Sequence, residues 1–222
     1  MKLKLLKDGN NPMNTNSYLI YDEESKNAWI IDASNESKLF IDTIEKLGLK
    51  VNYLLLTHGH WDHIIAADFW RKNYKAKIVA HEKCKDYLTN PMLNLSGLYS
   101  DIDELNLDAD IYLKGDHGKF EIFEYYHTPG HSYDHLIYKL GNELVFSGDL
   151  VFQHSVGRTD LPGSNPKDLI NSIRNIFYKN CDDQAIILPG HGNNSLVKEE
   201  KENNPYVPLE EKKWKEQTIV DN

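Results

Sequence analysis

Metal-ligand side chains are concentrated in the segment His58-Gly59-His60-Trp61-Asp62-His63, in which four of six residues are histidine or aspartate. The segment directly follows an apolar run at residues 51–56. Imidazole nitrogens and carboxylate oxygens are groups that bind zinc and related divalent ions in proteins. The residue types and their spacing therefore predict a metal site of the kind that metallohydrolases use.

Three later segments have the same construction, in which a short apolar run ends at a glycine and a ligand-type residue follows. They end in Pro129-Gly130-His131, Ser147-Gly148-Asp149 and Pro189-Gly190-His191. Apolar runs bounded by Gly or Pro are typical of buried strands, and Gly permits a tight turn at the exit. We therefore expect all four clusters to lie at strand ends on one rim of a sheet.

The four clusters contain more ligands than one ion needs. The candidate metal ligands are His58, His60, Asp62, His63, His131, Asp149 and His191. A single zinc takes four ligands, or three and a water in a catalytic site, so this set indicates two ions. Paired ions lie about 3.5–4 Å apart and share a bridging ligand, for which the carboxylate of Asp149 is the candidate. We expect His58 and His60 to face one ion and Asp62 and His63 to face the other, with the remaining histidines divided between them.

The other five of the ten histidines are not predicted to be ligands. We expect His81, His117 and His154 in solvated or loop positions. His127 and His135 are expected beside the site, in hydrogen-bonding or packing roles.

The order of the motifs, HxHxDH, TPGH, SGD and PGHG, resembles the metallo-β-lactamase superfamily over residues 15–207. The sequences GRTDLPG at 157–163 and PGHG at 189–192, with Glu199 and Asn204-Pro205-Tyr206 downstream, are similar to the short, single-domain hydroxyacylglutathione hydrolase (glyoxalase II-like) branch. The resemblance implies an α/β fold, the four-layer αββα sandwich. Bridging by Asp rather than Cys is unlike many true β-lactamases of this fold. The resemblance therefore argues against hydrolysis of antibiotics as the function.

The resemblance also implies a ligand assignment and a reaction. It assigns His58, His60 and His131 to one metal, Asp62, His63 and His191 to the other, and Asp149 to both. A metal-bound hydroxide would attack an acyl carbon, because metal binding lowers the pKa of water from about 16 towards 7. The ions would also stabilise the developing oxyanion. Asp62, which would orient the hydroxide, and the bridging Asp149 are the predicted catalytic residues.

The leaving group that suits such a site is a thiol. Its pKa of about 8.5 allows it to depart as thiolate with little need for a general acid. We therefore predict a thioester hydrolase for a small-molecule substrate, S-lactoylglutathione or a related hydroxyacylglutathione. The expected cofactors are two divalent ions, zinc first and iron or manganese as alternatives.

Substrate recognition is predicted to use local features, since the net charge of −9 repels an anionic glutathione thioester. Arg158 is the candidate cation for substrate binding, although it could instead brace its loop against Asp160. Tyr99 is the second candidate. It lies in the segment 91–110, which is predicted to be either a lid over the site or a loop packed for structural reasons.

Composition predicts one domain. A chain of 222 residues with 40% hydrophobic content can bury a sizeable core, and we expect a hydrolase domain over 1–208 and a tail or helix over 209–222. No signal-peptide pattern or membrane-length apolar stretch is visible, which predicts a cytoplasmic protein without a membrane partner. An acidic chain without a basic stripe predicts no nucleic-acid partner. Cys84 and Cys181 fit no motif and are expected to be reduced and unpaired.

Hydrophobic periodicity predicts alternating strands and helices. Strands are expected near 2–7, 15–21, 27–32, 51–56, 77–80, 119–127, 135–140, 143–147 and 184–188. Helices are expected at 36–47, 62–74, 82–89 and 166–178, and an irregular stretch at 90–110.

Three other functions fit parts of the pattern. A persulfide dioxygenase of similar fold would hold one iron with His58, His131 and Asp149. A nuclease or other phosphodiesterase could use the same metal pair, which the acidic composition argues against. A non-catalytic metal-stabilised binding module would close its site with protein ligands, whereas seven ligands around two ions leave room for water.

Overall fold

The computed structural model describes residues 2–207, in which two six-stranded sheets carry the fold. The first sheet has its strands in sequence order: β1 Leu3–Asp8, β2 Ser17–Asp22, β3 Asn27–Ile31, β4 Lys50–Leu55, β5 Lys77–His81 and β6 Ile111–Leu113. Neighbours among β1 to β3 are antiparallel, and neighbours from β3 to β6 are parallel. The carboxyl ends of the parallel strands therefore meet at one edge.

The second sheet has the spatial order β14-β13-β10-β9-β8-β7. Its strands are β7 His117–Phe120, β8 Phe123–His127, β9 Leu136–Leu140, β10 Leu144–Gly148, β13 Ile186–Pro189 and β14 Ser195–Leu196. The pair β10 and β13 is parallel, and the other pairs are antiparallel. Strands β11 Val151–Phe152 and β12 Ser155–Val156 form a separate ribbon.

Helices cover the outer faces of both sheets. Within the described range they are α1 Lys38–Leu47, α2 Trp61–Ile64, α3 Ala67–Tyr74, α4 Cys84–Thr89, α5 Pro166–Asn171, α6 Tyr178–Asn180 and α7 Val197–Asn203, with a 3-10 turn at Ser96–Leu98 and a π-helical segment at Ser172–Phe177. None of the described helices is both long and apolar enough to cross a membrane.

Three apolar cores separate the layers. One face of the first sheet packs against α1, α3 and α4 through residues such as Phe40 and Trp70. The facing sides of the two sheets enclose a second core that includes Trp29 and Phe146. The third core lies between the second sheet and the helices that begin at Pro166 and Val197. The predicted four-layer αββα sandwich is confirmed.

Helix α1 shows how local sequence sets an element of this sandwich. The side chain of Ser37 accepts a hydrogen bond from the Phe40 N–H, which caps the first turn. Gly48 ends the helix in the left-handed conformation at φ +62°. Phe40 and Ile44 are buried against the sheet, and each stabilises the fold by roughly 1.5–3 kcal/mol.

Several predicted boundaries were wrong. The helix expected at 62–74 is split into α2 and α3. The split occurs because the Ala33 N–H donates to the His63 carbonyl and the Ala66 N–H donates to the Ala33 carbonyl, so these groups bond to the Ala33 backbone. The strand expected at 119–127 is a hairpin that turns between Phe120 and Phe123. The sequence pattern also missed β6, which follows the irregular stretch, and α7. The 209–222 tail lies outside the described residues.

Three of the remaining predictions concern histidines and cysteines. His117 and His154 are exposed, as predicted, whereas His81 is buried at the end of β5 and stacks on His127 with ring centroids 4.3 Å apart. The solvated position expected for His81 was therefore wrong, since the ring packs between the sheets. Cys84 and Cys181 are unpaired, as predicted, and both are buried.

Candidate metal centre

The four ligand clusters meet at one rim of the sandwich. His58 follows β4, His131 follows β8, Asp149 follows β10 and His191 follows β13. The structure brings the donor atoms of all seven predicted ligands into overlapping groups whose members lie within 4.8 Å of one another. The groups are His58, His60 and His131; His58, His63 and Asp149; and Asp62, His63 and His191.

The first group is a triangle of ring nitrogens. His60 Nδ1 lies 3.1 Å from His58 Nε2 and 2.9 Å from His131 Nε2. Nitrogens that share a tetrahedral zinc at 2.0–2.1 Å are roughly 3.4 Å apart, so these separations approach those of a ligand set.

The second group places two histidines around a carboxylate. Asp62 Oδ2 lies 3.2 Å from His191 Nε2 and 3.6 Å from His63 Nε2. Asp62 is in the first turn of α2, where the partial positive charge of a helix start favours a carboxylate.

Asp149 lies between the two groups. Its Oδ2 is 3.5 Å from both His131 Nε2 and His191 Nε2, and its Oδ1 is 3.4 Å from His63 Nε2. One carboxylate therefore borders donors of both groups, which is the placement that a bridging ligand requires.

Buried hydrogen bonds set which nitrogen of each histidine faces the centre. Thr57 Oγ1 donates to Asp32 Oδ2 at 2.8 Å, so it accepts from the Nδ1–H of His58, 3.0 Å away. His63 Nδ1 lies 2.8 Å from the same Asp32 oxygen. Each Nδ1 therefore carries a proton, and Nε2 is the nitrogen that faces the centre and can bind a metal ion when it is deprotonated.

His131 is held in the same way by a backbone group. Its Nδ1 donates to the Arg158 carbonyl oxygen at 2.9 Å, which leaves Nε2 as the free acceptor. Nearby, His135 Nε2 accepts the Asp149 N–H at 3.0 Å and its Nδ1 contacts Thr128 Oγ1. The prediction that His135 lies beside the site is confirmed. His127 contacts the Tyr133 carbonyl instead.

The sequence interpretation missed three residues that hold the ligands. Asp32 and Thr57 orient His58 and His63, and Thr15 donates to Asp62 Oδ2 at 2.7 Å. Asp32 follows directly on the apolar strand β3, so an acid at a strand end was the available signal. Thr15 forms an isolated bridge with His191 across the rim, which no local pattern reveals.

Burial keeps some imidazoles of the centre neutral, while the two carboxylates are ionised. Burial lowers the pKa of His58 and His60 well below the usual histidine value. Burial would raise the pKa of Asp62, but His63 and His191 outweigh it and lower the pKa to about 2. The pKa of Asp149 is lowered for the same reason. Neutral imidazoles and carboxylates are the forms that bind metals.

His63 responds to the carboxylates in the opposite sense. Burial opposes its positive charge, but Asp62, Asp149 and Asp32 outweigh burial and raise its pKa well above the usual value. Its buried Nε2 and the buried Asp149 Oδ1 nonetheless have no hydrogen-bond partner. Orphaned polar atoms beside converging lone pairs are what a bound cation would satisfy, so the donor set fits divalent metal ions.

Gly190 allows the rim to close. A Cβ there would lie 2.1 Å from Asp149 Oδ1 and 2.7 Å from His63 Cε1, so any side chain would displace two members of the centre. The Gly190 carbonyl also accepts the Asn16 N–H at 2.6 Å, which ties the loop before β2 to this turn.

A cavity of about 340 Å³ opens beside the centre. Its lining includes Trp61 and Asp62 from the ligand turn, Met13 from the loop before β2, and Tyr99. The Tyr99 and Trp61 ring centroids are 5.4 Å apart.

Arg158, the other predicted substrate residue, is exposed and pairs with both carboxylate oxygens of Asp160 at 2.6 and 2.7 Å. This is the contact that the alternative interpretation named, and a role for Arg158 in substrate binding stays a prediction.

The fold and the ligand motifs match a known family. Residues 10–191 match the family model of the metallo-β-lactamase superfamily. The chain belongs to this superfamily. It is 36% identical over 202 residues to hydroxyacylglutathione hydrolase GloC of Haemophilus influenzae, covering 86% of this chain and 92% of GloC.

Two solved structures are similar to this chain over most of its length. The BLEG-1 B3 metallo-β-lactamase superposes with a TM-score of 0.84 and 31% identity, covering 92% of this chain and 99% of that one. TTHA1623, in a di-iron-bound form, superposes with a TM-score of 0.79 and 28% identity, covering 91% and 100%. This member of the superfamily is a metal-binding hydrolase, as the sequence predicted.

Proposed function

We propose that this protein is a binuclear metal-dependent thioester hydrolase that acts on hydroxyacylglutathione thioesters such as S-lactoylglutathione. The observation that carries the proposal is Asp149, whose carboxylate borders histidines of two separate donor groups. The similarity to GloC over nearly its whole length supports the substrate class.

The chain's own residues divide the work between holding the ions and orienting the reactants. His58, His60 and His131 would hold one ion, Asp62, His63 and His191 the other, with Asp149 shared. When bound, such a pair supplies an activated nucleophile at neutral pH and stabilises negative charge on the acyl oxygen. Asp62 borders the cavity in its ionised form and accepts a hydrogen bond from the attacking water, while Thr15 fixes its orientation.

The surroundings of Asp62 favour a leaving group that needs no proton. Among the described residues that line this cavity and a second cavity beside Arg158, the acidic side chains are Asp62 and Asp101, and neither His nor Lys is present. Hydrolysis consumes one water. A C–O bond forms at the acyl carbon, the C–S bond breaks, and the sulfur departs as a thiolate, whose conjugate thiol has a pKa of about 8.5. An amine or alkoxide would need an acid that this lining lacks.

The carrier thiol is proposed to lie near Arg158, which lines a second cavity of about 400 Å³. The neighbouring Gly157 is packed against the centre, since a Cβ there would lie 3.1 Å from His131 Cβ. Arg158 is shared with Asp160, so it offers a glutathione carboxylate a partly neutralised cation.

The test compares reaction classes on zinc- or iron-loaded protein. S-lactoylglutathione should be hydrolysed, and a β-lactam, a phosphodiester and oxygen consumption with a glutathione persulfide serve as the competing arms. His191→Ala should abolish hydrolysis, whereas the matched control His117→Ala, at an exposed histidine of β7, should keep it. Turnover of the persulfide, the β-lactam or the phosphodiester without thioester hydrolysis would contradict the proposal.

A further inference from the structure

We infer that the cavity beside Asp62 binds the acyl part of the substrate and selects an acyl group with an aromatic or branched apolar substituent. This inference rests on the proposed thioester hydrolysis and names the substrate more closely. The cavity begins at the ligand turn itself, since Trp61 and Asp62 both line it. A group bound there is next to the atoms proposed to react.

The lining is mostly apolar and incompletely covered. Six of its ten residues have apolar or aromatic side chains, namely Pro12, Met13, Trp61, Ile65, Tyr99 and Ile102. Met13, Ile65 and Tyr99 are 42%, 40% and 44% exposed, although all three face the same cavity. A ligand that covers these side chains gains roughly 25 cal/mol for each Å² of apolar surface removed from water.

Charge decides which end of the thioester enters. Asp62 is proposed to bind metal, so Asp101 is the charge that faces a ligand among the described lining residues, and it repels the carboxylates of a glutathione carrier, which no Lys or Arg of this lining could pair with. An uncharged acyl group meets no such repulsion. The acyl end therefore points into the cavity, and the carrier points away from it.

Volume decides how large the acyl group is. The cavity of about 340 Å³ is roughly twice the 150 Å³ of an engineered apolar cavity that holds benzene. A lactoyl group carries one methyl beyond its hydroxyl-bearing carbon and would leave most of this space unfilled. An aryl or branched alkyl substituent at that carbon would reach Trp61 and Tyr99.

Both walls of the cavity are held in place by buried or partly buried hydrogen bonds. On one side, the Trp61 N–H donates to the Asn94 carbonyl at 2.8 Å, and Asn94 Nδ2 donates to the Tyr87 and Leu105 carbonyls. On the other side, Asn11 Nδ2 donates to the Thr15 carbonyl at 2.7 Å. Walls held this way are ordered before the substrate arrives, so less ordering entropy is lost on binding. The segment 91–110 is thus anchored through Asn94, and Tyr99 projects from it.

The first test compares S-mandeloylglutathione with S-lactoylglutathione, which share carrier and reacting bond and differ in a phenyl against a methyl. The zinc-loaded protein should give a kcat/KM for the mandeloyl thioester roughly tenfold higher or more. Tyr99→Ala should reduce this preference roughly tenfold, and Tyr99→Phe should retain it. The control Leu39→Ala, at an exposed side chain of α1 that lines neither cavity, should leave the ratio unchanged.

The outcomes separate this inference from the proposed function. Hydrolysis of both thioesters with a ratio of one or less, or an equal loss on both in Tyr99→Ala, overturns the acyl inference alone. Hydrolysis of neither overturns the thioesterase as well. A binding readout is independent of turnover: mandelamide should shift the NMR signals of the Met13 methyl and Trp61 indole in the zinc-loaded protein, and lactamide at equal concentration should not. Equal shifts, or none with mandelamide, also overturn it.

Discussion

Replacing Asp32 with Asn should weaken metal binding, although Asp32 is not itself a metal ligand. Asp32 accepts three hydrogen bonds, from the Thr57 N–H, from Thr57 Oγ1 and from His63 Nδ1, at 2.7, 2.8 and 2.8 Å. Asn keeps one acceptor oxygen, which the Thr57 N–H retains, and turns an NH₂ donor towards the other two groups. His63 Nδ1 must then accept, which moves its proton to Nε2 and removes the lone pair that faces the centre.

The size of this effect follows from the lost interaction. One charged hydrogen bond is worth about 1.5–3 kcal/mol, and 1.4 kcal/mol is a factor of ten in affinity. The affinity of the His63-containing site should therefore fall roughly 10–100-fold, the range seen for outer partners of metal-binding histidines. Asp32 has φ +56°, a conformation that Asn also tolerates, so the backbone stays in place.

Competition with a chelator of known affinity, followed by metal analysis, measures this change. The control is Asp22→Asn, at a buried aspartate that ends β2 far from the metal centre. Asp22 accepts hydrogen bonds from the Lys2 N–H and from Ser25 Oγ, and it contacts none of the metal ligands. This control variant should leave both affinities unchanged. Equal affinities in Asp32→Asn and wild type would refute the argument that this hydrogen bond selects the tautomer of His63.

Three further predictions follow from the centre and the cores. Asp149→Ala should lose bound metal and thioester hydrolysis together, measured by elemental analysis and rate; full metal content and activity would contradict its shared role. A free metal concentration of one hundred times Kd stabilises the folded protein by about 2.7 kcal/mol. A chelator should therefore lower Tm by roughly 5–11 °C, and an unchanged Tm would count against bound ions. Burial lowers the pKa of His81 to about 4, so the unfolded chain takes up a proton below about 6.5 that the folded chain accepts only near 4. The free energy of unfolding should therefore fall between pH 6.5 and 4, less so in His81→Asn, and equal slopes in urea titrations would contradict this.

The sequence predicted the centre because its ligands follow strands that are easily recognised. Each of the four clusters comes after an apolar run with a glycine exit, and parallel strands such as β10 and β13 place such exits on one rim. The layers followed from the same alternation, since Leu19 and Ile20 face different cores. A periodic pattern is local, so a single sequence reveals it.

The contacts that these supporting residues make could not be predicted, because their partners are distant along the chain. Asp32 and His63 are 31 residues apart, and Thr15 and Asp62 are 47 apart. The break between α2 and α3 has the same origin, as it depends on the Ala33 backbone. Burial of His81 likewise depends on the packing of β5 against His127. The 1–208 domain boundary, the cytoplasmic location and the small-molecule partner stay predictions.

The most direct test of the central claim is a crystal structure of the metal-loaded protein, with anomalous scattering recorded at the absorption edge of its metal. The account predicts two peaks about 3.5–4 Å apart with Asp149 between them, one bound by His58, His60 and His131 and the other by Asp62, His63 and His191. A single peak held by His58, His131 and Asp149, with His63 and His191 making no contact to metal, would contradict it and support the mononuclear iron alternative.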